Sequence, residues 1–221
     1  MTASIPKLES LEAIVFDFDG VILESAAGKG KAFLDLFSDY PEHLEAIRAH
    51  HLANLGVSRF EKFEWIYGNL LERPLSEAES RELGRRYSEL VFETTVASPF
   101  VPGALELLES LVGRSPLFVA SATPQAELEA VIQRRGIDRF FTGVHGSPPA
   151  KPRLLAEIIE TGGFDAERVL MIGDGVSDLE AARHAGCLFL ARLDEAAPKQ
   201  AFPAETPFVR TLAELTRAPL G

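Results

Sequence analysis

The sequence predicts an α/β fold, a Rossmann-like parallel sheet core with an inserted helical-bundle cap, and three observations carry the prediction. The run Ala13–Phe18 (AIVFDF) is apolar enough for a strand buried on both faces. After Pro99, strand-like and helix-like stretches alternate, the pattern of a parallel sheet covered on both sides. Between these regions, Ser25 to Ser98 carries helical periodicity and no strand-like run. The expected organisation is a core of residues 1–24 and 99–221 and a helical cap of residues 25–98.

Each element has its own signal. In the helical segment, Phe63, Ile66, Tyr67, Leu70 and Leu71 fall on one helical face, as do Leu83, Tyr87, Leu90 and Val91. Ser58 with Glu61, and Ser76 with Glu79, fit the S-x-x-E capping box and mark two helix starts, while Pro41 and Pro74 fall between helices. Four helices are expected. The later alternation predicts helix Gly103–Val112, strand Leu117–Ala122, helix Pro124–Arg135 and a short strand near Phe140–Val144. It continues with helix Pro152–Thr161, strand Arg168–Ile172, helix Ser177–Ala185 and strand Cys187–Ala191. From Pro198 onward, with Pro203, Pro207 and Pro219, the tail is expected to be weakly structured.

Composition excludes several functions. The 221 residues are 46% hydrophobic and 25% charged, ordinary for a globular protein. A net charge of −11 disfavours nucleic acid and anionic membranes as partners. No apolar run approaches the ~18 residues that span a bilayer, and the N-terminal MTASIPKLES lacks signal-peptide character, so a cytoplasmic location is expected. The single cysteine, Cys187, lies in the apolar run CLFLA and is expected in the core.

In a parallel α/β sheet, ligands sit beyond the C-terminal strand ends. The polar residues there are Asp17 and Asp19, then Ser121 and Thr123, then Asp174 and Asp178, with Lys151 ahead of the helix leading back to the last of these strands. Four carboxylates on one rim repel and raise one another's pKa values. A divalent metal and Lys151 would offset them, and oxygen-only ligands favour Mg²⁺ over zinc or copper. Acids, a hydroxyl and a lysine around Mg²⁺ suit phosphoryl transfer, in which a carboxylate can act as nucleophile and a second one as acid and base.

These residues resemble the motifs of the haloacid dehalogenase superfamily: DFDGV at 17–21, SAT at 121–123, KP at 151–152 and GDGVSD at 173–178. The helical segment falls where that family inserts its type-1 cap. The resemblance implies that Asp17 is the nucleophile and Asp19 the general acid/base. It further implies that Ser121, the adjoining Ala122 and Lys151 contact the substrate phosphate. Mg²⁺ would be held by the Asp17 carboxylate, the Asp19 backbone carbonyl and Asp174, with Asp178 as a ligand or just behind one. Gly175 stands where many relatives carry Ser.

Plainer readings stand beside these. Ser177 with Glu180 forms its own capping box, so Asp178 could serve only the helix start, and Thr123 before Pro124 reads most simply as an N-cap. His50 and His51 read as surface or cap-core residues. Lys29 and Lys31 follow the first motif closely enough to face the site, and Arg59 at a helix start beside Gly56 could hold an anion. A solvated turn between helices explains Arg59 about as well.

The function expected is a Mg²⁺-dependent phosphatase, monomer or homodimer, acting on a small metabolite such as a sugar phosphate, phosphoglycolate or a nucleotide. A phosphomutase of the β-phosphoglucomutase kind shares the acids, but such relatives tend to carry a histidine soon after the first motif, where this chain has Lys29 and no histidine before His43. A non-enzymatic phosphoacceptor module also uses acids, a hydroxyl and a lysine, yet such receivers lack the D-x-D pair and the long insert. Dehalogenase chemistry fits poorly with Asp19 and a metal-ligand set.

Overall fold

The computed structural model describes residues 5–194 and 202–216. Its six-stranded sheet has the order β3-β2-β1-β4-β5-β6, with every pairing parallel. The strands are β1 (Ala13–Phe16), β2 (Leu117–Pro124), β3 (Gly143–Ser147), β4 (Val169–Gly173), β5 (Leu188–Arg192) and β6 (Phe208–Val209). Four helices, α1 (Ala26–Leu36), α2 (Leu44–Ala53), α3 (Arg59–Asn69) and α4 (Glu77–Ala97), intervene between β1 and β2. The remainder are α5 (Ala104–Leu111), α6 (Gln125–Arg135), α7 (Lys151–Gly162), α8 (Val176–Ala185) and α9 (Ala213–Thr216).

Alternation along β1 divides the core. Ile14 and Phe16 join Leu107, Leu108, Leu128 and Ile132 of α5 and α6 on one face. Ala13 and Val15 join Leu154, Leu155, Ala181 and Ala182 of α7 and α8 on the other. All four residues of β1 are buried, as a central parallel strand requires. The insert has its own apolar cluster, built from Phe33, Phe37, Ile47, Phe63, Ile66, Tyr87 and Val91.

Local departures from the sequence reading have physical causes. Residue 18 lies beyond β1, because the chain turns at Phe18, whose carbonyl accepts from the amides of Val21, Ile22 and Leu23. β2 runs on to Pro124, so α6 is capped at Pro124 and Thr123 is not an N-cap. Asp138–Phe140 forms a single 3₁₀ turn, which delays β3 to Gly143. Ser76 and Glu79 form the reciprocal box, whereas Ser58 accepts only from the Phe60 amide. Ser177 lies inside α8, whose N-cap is Gly175. Leu90 is exposed although Leu83, Tyr87 and Val91 on its helix are buried. Cys187 is half-buried against the second face, and that burial pushes its thiol up to about 12. The tail contributes β6 and α9; Pro198 and Pro219 lie outside the described residues.

Candidate active site

The chain moves outward from β1 to β3, then crosses back to β4, so the order reverses beside β1. A crevice at such a switch point is where open α/β sheets place ligands. Asp17 and Asp19 follow β1, Ser121 and Thr123 end β2, Asp174 follows β4, and Asp178 stands in the first turn of α8. Lys151 is the first residue of α7 and is buried. The sheet thus gathers all the core residues singled out from the sequence.

Asp17 is fixed at both oxygens. The Phe18 amide donates to Oδ1 at 2.7 Å, and Lys151 Nζ lies 3.0 Å from Oδ2. The same ammonium pairs with Asp178, whose Oδ2 accepts from the Gly175 amide at 3.0 Å. Asp178 therefore serves both the helix start and the lysine. One oxygen from each of Asp17, Asp174 and Asp178 falls within a 4.8 Å cluster. Gly20 lets Asp174 approach: at φ +79°, a Cβ there would lie 2.1 Å from Asp174 Oδ2.

Three carboxylates, Asp17 and Asp178 buried and Asp174 half-buried, face one buried lysine, a formal excess of two negative charges. Burial, aided by Asp178 and Asp19 and opposed by Lys151, raises Asp17 to about 7. Burial, Asp17 and Asp178 likewise hold Asp174 well above the carboxylate range. An all-oxygen, formally net-negative cluster of this kind fits a divalent metal.

Asp19 stands apart from this cluster. Its Oδ2 receives Lys29 Nζ at 2.6 Å and the Thr123 hydroxyl at 3.0 Å, and its Oδ1 receives the Ser25 hydroxyl at 2.5 Å. Burial alone would raise its pKa, but Lys29, Ser25 and Thr123 overcome burial and hold it below the usual value. The mutual raising expected for all four acids therefore fails at Asp19, which has its own cation. Ser121 is buried, and its Oγ accepts from the Thr123 amide at 3.1 Å, leaving its own O–H to donate. Ala122 lines the same pocket.

The insert closes the other side. Gly56, at φ +78°, presses on the rim: a Cβ there would sit 2.3 Å from Ser177 Oγ and 3.6 Å from Lys151 Nζ. Ser177 Oγ donates to the Leu55 carbonyl at 2.7 Å, so this serine ties core to insert. Arg59 lines the pocket, but its guanidinium is engaged. It forms a bidentate pair with Glu127 of α6 (2.9 and 2.8 Å), donates to Ser88 (2.8 Å) and stacks over Tyr87. Lys29 faces the site; Lys31 does not, being exposed and paired with Asp35. His51 is a buried insert residue whose ring lies tilted against Phe33, while His50 stacks on Trp65.

Glu127, Ser88 and Lys62 escaped the sequence reading. The signal for Lys62 was present, since the stripe Phe63, Ile66, Tyr67 extends back one turn to Arg59 and Lys62, and all five are buried. Glu127 sits three residues into α6, and nothing in its neighbourhood distinguishes it from a solvated helical glutamate.

A strand-end carboxylate held by a buried lysine beside a metal-compatible acid cluster is an arrangement suited to phosphoryl transfer. The model of the haloacid dehalogenase-like hydrolase family matches residues 11–186, and the chain belongs to that family. It is similar to a phosphoglycolate phosphatase of Synechococcus elongatus, at 26% identity over 82% of this chain and 83% of the relative. A 5'-nucleotidase of Pseudomonas aeruginosa is 30% identical over 78% of each chain. In fold it resembles CbbY of Rhodobacter sphaeroides solved with xylulose-(1,5)bisphosphate, with TM-score 0.74, 17% identity, and coverage of 92% of this chain and 96% of that one. The protein is a phosphoric monoester hydrolase.

Proposed function

We propose that this chain is a Mg²⁺-dependent phosphatase that hydrolyses a small phosphorylated metabolite through an aspartyl-phosphate at Asp17. The observation that carries the reading is the pairing of Asp17 with Lys151 inside the cluster it forms with Asp174 and Asp178. Mg²⁺ would be held by Asp17 and Asp174, the Asp19 carbonyl, and Asp178 directly or from behind; when bound it neutralises phosphate oxygens and lowers the barrier to attack by an anion. Ser121, Ala122 and Lys151 hold the phosphoryl group against Asp17.

In the first step an oxygen of Asp17 attacks phosphorus, the ester P–O bond breaks, and the departing alkoxide takes a proton from Asp19. Lys29, Ser25 and Thr123 keep Asp19 ionised in the free site, and the arriving phosphate charge opposes that, raising its pKa so that it binds the proton it must donate. In the second step Asp19, now a carboxylate, takes a proton from water as the water attacks phosphorus. The bond to Asp17 breaks and inorganic phosphate leaves.

The helices α1–α4 act as a cap that excludes water and large substrates. On this reading Arg59 contributes chiefly as a tie, since its charge is matched by Glu127 across the cap–core boundary. Removing one partner of such a buried pair costs about 3–5 kcal/mol. Arg59→Ala and Glu127→Gln should each lower kcat/KM, and the double variant should lose little more than either, as coupled neighbours do. Additive losses would assign Arg59 to direct contact with substrate instead. A panel of phosphorylated metabolites, assayed for phosphate release with Mg²⁺ and with chelator, tests the proposal; release that chelator leaves intact would remove the metal.

A further inference from the structure

Three cations of the cap line the pocket: Lys29, Arg59 and Lys62. Two are matched, Lys29 by Asp19 and Arg59 by Glu127. Lys62 has no carboxylate within ion-pair distance among the described residues, although it is only 5% exposed. Its ammonium lies over the ring of Phe33, 5.8 Å from Nζ to the centroid. Burial, reinforced by Arg59 and Lys29 and opposed only by Glu61, pulls its pKa down to about 8. His51, on the same wall, has its Nδ1 buried without a hydrogen-bond partner among the described residues.

A buried ammonium is tolerated when it is paired, and an unpaired one facing a ligand pocket is a binding group awaiting its counter-ion. The core rim cannot supply that counter-ion, because its own acids are matched by Lys151 and Lys29 or belong to the metal-compatible cluster. We propose that Lys62 receives a second anionic group of the substrate, a carboxylate or a second phosphate, with His51 beside it as a hydrogen-bonding partner. The inference rests on the phosphatase reading and narrows it: the preferred substrate is a phosphomonoester that bears another anion. Arg59, already neutralised, shapes this subsite without supplying its charge.

Non-hydrolysable phosphonates test the idea by calorimetry in the presence of Mg²⁺, so that binding is read without turnover. Phosphonopropionate carries a carboxylate, propylene bisphosphonate a second phosphonate, and propylphosphonate a methyl group at that end. Wild-type protein should bind one of the two probes that carry a second anionic group at least ~10-fold more tightly than propylphosphonate, the worth of one charge-assisted hydrogen bond. Whichever is preferred identifies carboxylate or phosphate as the second group. Lys62→Met should abolish that preference, and it should fold at least as stably as wild type because it removes a buried unmatched charge. Equal binding of all three probes by wild type, or a preference that survives in Lys62→Met, would overturn the assignment while leaving the phosphatase reading intact. No binding of any probe, together with no phosphate release from any ester, would overturn both.

Discussion

Asp17→Asn should lose phosphatase activity by on the order of 10⁵-fold or more, as removal of a nucleophile does when no other group can replace it. The amide nearly matches the carboxylate in shape but cannot attack phosphorus. In metal-free buffer the same change should stabilise the fold. Burial raises Asp17 from 3.8 to about 7, so ionised Asp17 opposes folding. A group with a raised folded pKa contributes stability that is present below its unfolded value and lost as pH climbs through the folded one. Wild-type protein therefore loses stability between about pH 4 and 7 from this residue, and the variant does not. The Tm difference should grow across that window in favour of Asp17→Asn, corresponding to a stability difference on the order of 2–4 kcal/mol at neutral pH. Mg²⁺ should shrink or reverse the difference, because it stabilises the wild-type cluster more. A Tm advantage that stays flat with pH would mean that Asp17 is not the strained carboxylate of the site.

The second large effect belongs to Asp19. Replacing it with Asn or Ala should lower kcat by about 10²–10⁴-fold on alkyl phosphates, the usual worth of a general acid or base. On aryl phosphates, whose leaving group needs no proton, the first step should be nearly spared and the slow step should become hydrolysis of the aspartyl-phosphate. Equal losses in the first step for both substrate types, measured by burst kinetics, would remove Asp19 as the leaving-group acid.

Most of the core site was legible because its chemistry stands at strand ends. An apolar run that terminates in acids announces both the strand and its exposed rim, and the later hydroxyl, lysine and acid segments follow the same grammar. Side-chain partnerships were less legible. Thr123 reads as a helix cap until β2 is seen to continue to Pro124, which turns its hydroxyl onto Asp19. Ser177 and Glu180 mimic a capping box, yet Ser177 bonds the Leu55 carbonyl across the pocket. The Arg59–Glu127 pair joins residues far apart in sequence, and no local pattern encodes it. Arg59 and Lys62 share a face with the apolar stripe of α3, a periodicity that the sequence reading began only at Phe63, and which of the two is already matched is a tertiary fact.

Trapping the covalent phosphoenzyme tests the central claim most directly. Asp19→Ala turning over an aryl phosphate should form the intermediate and release it slowly. Acid quenching followed by peptide mass spectrometry should then find one phosphoryl group, labile to hydroxylamine, on the peptide containing Asp17. Wild-type protein quenched during turnover should show the same modification at lower occupancy. Sustained phosphate release with Asp17 unmodified in both proteins would contradict the account.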